Sequence, residues 1–188
     1  MDNRTALLNV ALELFADRGY DAVGVQEIVT AAGVTKPTLY HYFGSKTALL
    51  ETLVAEQSAP LAAALEAAAR YAGDLPLTLH RIVTAYFEFA AARPTFYRLH
   101  LALWFAPARN EARQIAVAFH ERLYRMIEDV FARAAADHGN MRGRHHAYAA
   151  TLIGMINTYV GLHLQGNFDL DQAVARQAVH QFSHGIYS

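Results

Sequence analysis

The side chains best suited to binding chemistry cluster between positions 36 and 43, in a short predicted helix crowded with polar tips. Its hydrogen-bonding residues are Lys36, Thr38, Tyr40, His41 and Tyr42. Leu39 and Phe43, four residues apart, have the spacing of a helix face turned toward a core. A helix this short is poorly stabilised alone. Its donors would suit phosphate oxygens and the edges of bases.

The residues before this polar helix predict how it is held. Apolar side chains between positions 25 and 32 recur with helical spacing and predict a second short helix, which Gly33 ends. Thr35 is a suitable capping residue, and Pro37 is tolerated in a first turn. Two short helices joined by a tight turn are typical of a helix-turn-helix motif, whose second helix enters the major groove of DNA.

Lys46 is a further candidate, because it stands in the first turn of the next predicted helix, which Ser45 caps. The helix dipole disfavours a cation there by about 0.3–1 kcal/mol. Residues that break such a local rule are expected at functional sites. An ammonium group beside free backbone N–H groups makes a good phosphate clamp, so we expect Lys46 to bind phosphate. The alternative is a solvated lysine.

A set of short motifs is spread over residues 4–50 at fixed spacing. They are Phe15 with Arg18-Gly19-Tyr20, Ile28 with Ala32-Gly33-Val34, Thr38-Leu39-Tyr40, Tyr42-Phe43, Ser45-Lys46 and Leu49-Leu50. With these motifs, residues 4–50 resemble the DNA-binding domain of the TetR family of transcriptional regulators. The likeness is specific, because spacing and residue type agree over more than forty positions.

The resemblance implies roles for eight residues. By position they are a base contact at Gln26, the groove-facing start of the recognition helix at Lys36, Pro37 and Thr38, backbone contacts at Tyr40 and Tyr42, a peripheral contact at His41, and the phosphate clamp at Lys46. Gly24 departs from the pattern, because the family usually has Ser or Thr at this helix cap. Glycine is an acceptable cap but brings no hydroxyl group to a phosphate.

Composition limits the classes of protein that remain. The chain has 188 residues, 54% of them hydrophobic, a net charge of −1 and no cysteine. Disulfides, thiolate metal sites and cysteine nucleophiles are therefore excluded. Neither a signal-peptide layout nor a run of about 18 apolar residues is present, so we expect a cytoplasmic protein without membrane contacts. DNA binding must depend on a few placed charges rather than on a general basic field.

The periodicity is helical almost throughout and predicts an all-α chain of about nine helices. We expect a three-helix helix-turn-helix domain over residues 1–46. Residues 47–188 then form a C-terminal helical domain for ligand binding and dimerisation. The resemblance implies a homodimer that binds palindromic double-stranded operator DNA, most simply as a repressor, and is released by a small-molecule effector that shifts the fourth helix.

The effector pocket is expected among the aromatic residues of the C-terminal domain, which suit an apolar or aromatic ligand. Ordinary helical core is the alternative for each of these residues. The candidate lining residues are Phe87, His100, Trp104, Phe119, Leu123 and Tyr159.

The last two predicted helices are the candidates for dimerisation. They carry small residues that permit close approach and apolar residues on more than one face, which indicates two partners. In the family such helices form a two-fold four-helix bundle. The candidate interface residues are Ile153, Ile156, Val160, Gly161, Leu164, Val174, Ala178 and Phe182.

Three other interpretations remain. His180 and His184 have the i, i+4 spacing of a metal-binding pair, so a metal- or haem-sensing regulator is one alternative, although no metal or cofactor is expected. A helical protein-interaction module without DNA binding is the second. An enzyme is disfavoured, because the few serines lack a nucleophile motif and no glycine-rich phosphate loop is present.

Overall fold

The computed structural model describes residues 2–167 and 169–185, and within these ranges the chain forms nine α-helices, which confirms the all-α prediction. A 3-10 turn at Gly139–Met141 separates the seventh and eighth helices. The helices are α1 Asn3–Arg18, α2 Val25–Ala31, α3 Lys36–Phe43, α4 Lys46–Ala68, α5 Leu75–Ala92, α6 Pro94–Trp104, α7 Glu111–Asp137, α8 His145–Leu164 and α9 Gln172–His184.

The chain divides into two compact units. The first contains the chain up to Ala59 together with Pro94–Phe119, and the second contains Pro60–Arg93 and the chain from His120 onward. The first unit is larger than the predicted domain 1–46, because α6 packs against α1. Helices α4 and α7 each contribute residues to both units.

The first unit is organised around α1, which packs against α2, α3 and α6. Its buried residues Leu7, Leu8, Ala11 and Phe15 recur at helical spacing and form one apolar face. Asp2 caps the helix, since its carboxylate accepts a hydrogen bond from the backbone N–H of Thr5 at 2.8 Å. The short helices α2 and α3 therefore rest on a longer helix with a continuous apolar face.

The second unit is built on α5, which packs against α8 and α9. Asp74 caps α5 by accepting a hydrogen bond from the N–H of Leu77 at 2.9 Å. The hydroxyl of Tyr71 donates to Asp137 at 2.7 Å and ties the segment between α4 and α5 to the end of α7. Among the described residues, no helix is long and apolar enough to cross a membrane.

Candidate nucleic-acid interface and effector cavity

The predicted helix-turn-helix is formed by α2 and α3, and its turn has the geometry that the sequence indicated. Gly33 has a φ of 67°, a left-handed conformation that favours glycine. The N–H of Val34 then donates to the carbonyl of Val29 at 2.9 Å and closes the turn. Ile28 of α2 and Leu39 of α3 are fully buried, so both helices are anchored through their apolar faces.

Helix α3 presents its polar residues to solvent, as the sequence predicted. Leu39 and Phe43 are buried. Tyr40 and Tyr42 expose 48% and 42% of their surface, which is unusual for such large side chains. Lys36, Pro37 and His41 are exposed, and Thr38 is half-buried. The helix thus offers a hydrogen-bonding surface that nothing within the described chain covers.

Two threonines hold polar side chains of this surface in place. The amide Nε2 of Gln26 donates to Oγ1 of Thr30, one turn further along α2, at 3.2 Å. The hydroxyl groups of Thr35 and Thr38 lie 2.9 Å apart. Thr35 is at the N-cap position of α3, but its hydroxyl bonds Thr38 rather than a backbone N–H. Side chains fixed in this way lose less conformational entropy on binding.

Lys46 is held within the protein more firmly than the phosphate-clamp hypothesis supposed. Its Nζ donates to the carbonyl of Tyr20 at 3.1 Å and to that of Val23 at 3.0 Å. The same Nζ lies 4.0 Å from the centre of the Tyr20 ring, a cation–π contact. An ammonium has three N–H donors, so one remains for a phosphate. Lys46 therefore fastens the α1–α2 loop to the start of α4.

Tyr20 strengthens the same junction. Its hydroxyl lies 3.1 Å from Oγ1 of Thr47, the residue after Lys46. Burial raises the pKa of the Tyr20 phenol, so it stays neutral and keeps its hydrogen bond. Asn110, before α7, donates from Nδ2 to the carboxylate of Asp21 in the α1–α2 loop at 2.5 Å. The loop that positions α2 is thus tied to two other segments of the first unit.

The arginines of the N-terminal region are engaged in ion pairs. Arg18 contacts Glu27 at 2.6 Å, and Arg4 pairs with Glu56. Hydrogen bonding from the N–H of Gly24 and from Arg18 holds the pKa of Glu27 below its usual range. Lys46 is engaged as well, by two backbone carbonyls, whereas Lys36 is an exposed cation on α3.

Gly24 is the N-cap residue of α2 and has no side chain to cap the helix. Glu27, in the first turn, compensates in part through a bond to the backbone of Gly24. The carboxylate of Glu27 accepts a hydrogen bond from the N–H of Gly24 at 2.9 Å. Gly24 has φ −89° and ψ 154°, which any residue can adopt. A Cβ there would lie 3.7 Å from Glu27 Oε2, an ordinary contact. The backbone therefore does not require glycine at this position.

Replacing Gly24 with Ser is expected to raise stability by a few tenths of a kcal/mol and to tighten DNA binding a few-fold, since the hydroxyl caps α2 and reaches a phosphate. The salt dependence should not change, because a neutral hydroxyl releases no counterion. Fluorescence anisotropy at two salt concentrations measures both effects. Gly24→Ala is the control, and equal gains in the two variants would contradict a phosphate contact.

The predicted effector residues fall into both compact units. In the first unit, the rings of His100 and Phe119 lie 5.4 Å apart, and Trp104 ends α6. In the second unit, the rings of Phe87 and Tyr159 lie 5.9 Å apart. Leu123, also in the second unit, is buried. Phe87 is 1% exposed and therefore has the environment of a core residue.

The second unit contains a cavity of about 1110 Å³, and of the predicted effector residues Tyr159 lines it. Its walls come from the start of α5, the end of α7, one face of α8 and the end of α9. The lining includes Leu75, Pro76, Leu79, Phe131, His138, Met141, Tyr148, Met155, Tyr159, Leu162, Phe182 and His184. The other lining residues were not among the predicted effector residues.

The predicted dimer residues divide into two groups. Ile156, Val160 and Ala178 are fully buried within the single chain, and Ile153 is 5% exposed. These four side chains pack into the core of their own unit and have almost no surface left for a partner. The other four, which are partly exposed, are Gly161, Leu164, Val174 and Phe182. Phe182 also lines the cavity.

Helix α8 has a free face of which the sequence analysis selected Gly161 alone as an interface candidate. Ala147, Ala150 and Gly154 are exposed, and Gly161 is half-buried. They recur at positions i, i+3, i+7 and i+14, so they share one side of the helix. A Cβ at Gly154 or Gly161 would meet nothing within 4 Å in the chain itself. Packing inside the chain therefore does not explain either glycine.

The histidines show little sign of metal binding. The rings of His180 and His184 stack with centroids 4.5 Å apart, and Nδ1 of His184 hydrogen-bonds the carbonyl of His180. Across the residues that the structure describes, no group of three or more His, Asp or Glu side chains could hold a metal ion. His146 instead lies 3.1 Å from Glu128.

The helix-turn-helix, its polar recognition helix and the helical second unit define a class of one-chain regulators that join a DNA-binding domain to a sensor domain. Two family models match: "Bacterial regulatory proteins, tetR family" over residues 7–53, and "BetI-type transcriptional repressor, C-terminal" over residues 78–187. The chain belongs to the TetR family and is a ligand-responsive, DNA-binding regulator of transcription.

One relative matches nearly the whole chain and another matches 51 residues of it. The transcriptional activator FasR of Mycolicibacterium smegmatis is 29% identical over 184 residues, which cover 98% of this chain and 82% of FasR. The transcriptional repressor KstR2 of Rhodococcus jostii is 43% identical over 51 residues, covering 27% of this chain and 25% of KstR2.

Solved structures share the fold. The TetR family regulator PfmR of Thermus thermophilus is 24% identical, with a TM-score of 0.77, and the match covers 100% of this chain and 99% of PfmR. The regulator FadR of Bacillus subtilis, solved in complex with stearoyl-CoA, is 19% identical with a TM-score of 0.79, and the match covers 97% of this chain and 99% of FadR.

Proposed function

We propose that the protein is a homodimeric repressor that binds a palindromic operator and is released by a mainly apolar small molecule. The observation that carries this proposal is the polar surface of α3, which two buried residues anchor while the other side chains stay exposed. A surface of this kind fits the major groove, where bases are read by hydrogen bonds. Gln26, Lys36 and Thr38 are the proposed base-reading residues.

The geometry of DNA reading and the free face of α8 support the proposed dimer. Two recognition helices read half-sites on one side of the duplex when they are about one DNA turn apart. The exposed small residues of α8 would let the same helix of a second copy approach closely, giving a two-fold interface. The interface is therefore proposed at Ala147, Ala150, Gly154 and Gly161, with the partly exposed Val174 of α9.

The cavity of the second unit is the support for an effector. Its volume exceeds the usual range of ligand pockets, about 300–1,000 Å³, and most of its lining is apolar. The structural relative FadR was solved with stearoyl-CoA, a molecule with a long apolar chain. An effector can release DNA only by binding two states of the protein with different affinity. Coupling of about 5- to 150-fold is typical.

The direction of regulation is proposed as repression, because the matching C-terminal family model describes repressors. The relative FasR is an activator, so the opposite direction has to be tested as well. Transcription in vitro from a promoter that contains the selected operator separates the two. A repressor lowers the transcript level when it is added, and an activator raises it.

The test of DNA reading is selection of bound fragments from random duplex DNA by the purified protein at fixed salt. We expect a palindrome with half-sites about one turn apart. Failure to recover any preferred sequence from a folded protein at low salt would contradict the proposal. A single unpaired half-site would contradict the dimer but leave DNA reading intact.

Gln26 and Thr30 give a sharper version of the same experiment. Removing the Thr30 hydroxyl with Thr30→Val should relax base preference at the positions that Gln26→Ala affects, because Thr30 orients the Gln26 amide. A good side-chain-to-base pair is worth about 1–3 kcal/mol of discrimination, so a loss of at least ~5-fold is expected. Thr30→Ser keeps the hydroxyl and should keep the preference. Unchanged selectivity in Thr30→Val would show that Thr30 does not contribute to base recognition.

A further inference from the structure

Five hydrogen-bonding side chains that line the cavity of the second unit stand where helices end or begin. They come after α7, in the first turn of α8 and in the last turn of α9. We call this region the polar end of the cavity, and it consists of His138, Tyr148, Gln181, Ser183 and His184. Tyr148 is half-buried and the others are exposed, so the cavity is open to solvent at this end.

These helix ends meet around the ring of Phe131, which also lines the cavity. The centre of this ring lies 5.7 Å from that of the Tyr148 ring and 6.0 Å from that of the Phe182 ring. His138 is held in the turn between α7 and α8, where its carbonyl accepts the N–H of Met141 at 3.0 Å. The polar end is therefore backed by a cluster of packed aromatic rings.

From the polar end, the cavity extends along one face of α8. The lining residues of this helix recur at helical spacing and are Tyr148, Thr151, Met155, Thr158, Tyr159 and Leu162. The wall from Tyr148 to Leu162 is about 21 Å long, at about 1.5 Å per residue. Leu79 of α5, which is 2% exposed, also lines the cavity, so the cavity reaches the core of the second unit. A compact ring would fill only part of such a length.

The two threonines on this face of α8 add little polarity to it. The hydroxyl of Thr151 donates to the carbonyl of Ala147 at 2.9 Å. The hydroxyl of Thr158 donates to the carbonyl of Gly154 at 2.9 Å. Because a hydroxyl has one O–H donor, both donors are already used within the helix. Along its length, the cavity therefore changes from a hydrogen-bonding end to a mainly apolar wall.

The cavity wall carries no fixed charge, since none of its described lining residues is Asp, Glu, Lys or Arg. Two acidic and two basic residues are next to the polar end in the chain. Asp74 and Asp137 directly precede lining residues. Arg142 and Arg144 belong to the segment between α7 and α8. The two signs balance, so the surroundings of the polar end favour neither an anionic nor a cationic ligand.

We propose that the cavity binds a long-chain amphiphile with an uncharged polar head group. The head group hydrogen-bonds Tyr148 and a histidine of the polar end, and the tail lies along α8 toward Leu162. The regulatory meaning of this site rests on the proposed function, whereas binding itself does not. A charged head group would lose hydration against a wall that offers no opposite charge. Among the described residues the phenol of Tyr148 makes no hydrogen bond, so it can donate to or accept from a ligand.

Removing the phenol hydroxyl of Tyr148 tests where the head group binds. Tyr148→Phe keeps the ring against Phe131 and should lower the affinity for 1-dodecanol about fivefold, because one hydrogen bond to the ligand is lost. Tyr124→Phe is the matched control, since the Tyr124 hydroxyl donates to the carbonyl of His146 at 2.7 Å and does not line the cavity. The control should bind 1-dodecanol as the natural protein does. Unchanged affinity in Tyr148→Phe, or an equal loss in both variants, would contradict the proposal.

The direction of the tail is tested by filling the far end of the cavity. Leu162→Trp should weaken binding of 1-dodecanol but leave binding of 1-octanol unchanged, because the shorter tail does not extend as far along α8. Met155→Trp fills the middle of the wall and should weaken both alcohols. Ala132→Trp, on the exposed side of α7, is the control and should weaken neither. If Leu162→Trp weakened 1-octanol as much as 1-dodecanol, the head group would not lie at the polar end.

Titration calorimetry on the natural protein tests the ligand class without any variant. Each methylene removed from 1-dodecanol should weaken binding about threefold to fourfold. Dodecanoate and dodecyltrimethylammonium have tails of similar length but opposite charges, and both should bind more weakly than 1-dodecanol. The compact 2-naphthol should also bind more weakly. Preference for either ion, or for 2-naphthol, would overturn the proposal.

Operator binding by the same preparation separates this inference from the proposed function. A protein that selects a palindrome but binds no chain compound contradicts only the ligand class. A protein that binds 1-dodecanol through Tyr148 but selects no DNA contradicts only the regulatory function. Binding of 1-dodecanol only when the dimer dissociates, seen by sedimentation, would show that a second copy occupies the cavity and would overturn the proposal.

Discussion

Replacing Lys46 with Met is expected to lower both the stability of the protein and its affinity for all DNA sequences. The ammonium donates to the carbonyls of Tyr20 and Val23 and lies over the Tyr20 ring. Methionine keeps most of the aliphatic stem but loses these bonds, at a cost of about 1–3 kcal/mol. For a chain of this size, that corresponds to a fall in melting temperature of roughly 2–12 °C.

The effect of Lys46→Met on the salt dependence of DNA binding distinguishes two roles of Lys46. If its third N–H also binds a phosphate, the slope of log affinity against log salt should fall by about one unit. If Lys46 only fastens the α1–α2 loop, stability should fall and the slope should stay the same. Thermal unfolding and anisotropy titrations over a range of salt measure both quantities.

Lys36→Met is the matched control, since Lys36 and Lys46 are the two lysines of the chain. Lys36 is exposed on α3, so its replacement should leave the melting temperature unchanged while it weakens DNA binding. If Lys46→Met left stability unchanged and lowered only the salt slope, the fastening role inferred from the structure would be wrong.

Lys46 also shows what sequence could and could not reveal about the site. The position of Lys46 in the first turn of α4 followed from the capping residue Ser45, whose Oγ does accept the N–H of Ala48 at 3.0 Å. Its partners could not be foreseen, because they are backbone carbonyls more than twenty residues earlier in the chain. Contacts between distant segments depend on packing, which local patterns do not encode.

The helix-turn-helix was predictable because its signals are local. Gly33 and Gly44, with φ of 67° and 76°, occupy left-handed positions that glycine favours, and Leu39 and Phe43 have the spacing of an anchored face. The cavity had no such signal. Its walls come from the ends of α5, α7 and α9 and the face of α8, and a gap between helices is a property of their arrangement.

The two apolar faces of α8 posed a related difficulty. The sequence indicated two partners for this helix but not which face met which partner. Ile156 and Val160, the bulkier side chains, pack into the core, while the small residues remain exposed. Hydrophobicity alone cannot separate a core face from an interface, because both exclude water. The dimer stays a prediction, now placed on Gly154 and its neighbours.

Gly154 provides a test with opposite expectations for the single chain and the dimer. Glycine inside a helix is less favourable than alanine by about 0.8–1.0 kcal/mol, and a Cβ at Gly154 would meet nothing within 4 Å. Gly154→Ala should therefore stabilise an isolated protomer. If α8 packs closely against the same helix of a partner, the added methyl should instead weaken the dimer, which sedimentation equilibrium measures.

Gly154→Arg should have the larger effect, giving a folded monomer whose affinity for a palindromic operator falls by at least ~100-fold. The physical reason is that a dimer bound to both half-sites gains an affinity about 10²–10⁴ times that of a monomer bound to one half-site. Ala132→Arg, on the exposed side of α7, controls for the added charge and bulk. A Gly154→Arg protein that still sediments as a dimer would place the interface elsewhere. The Gly154→Arg variant should still fold, because the guanidinium can remain in solvent. Circular dichroism measures its helix content and checks this directly.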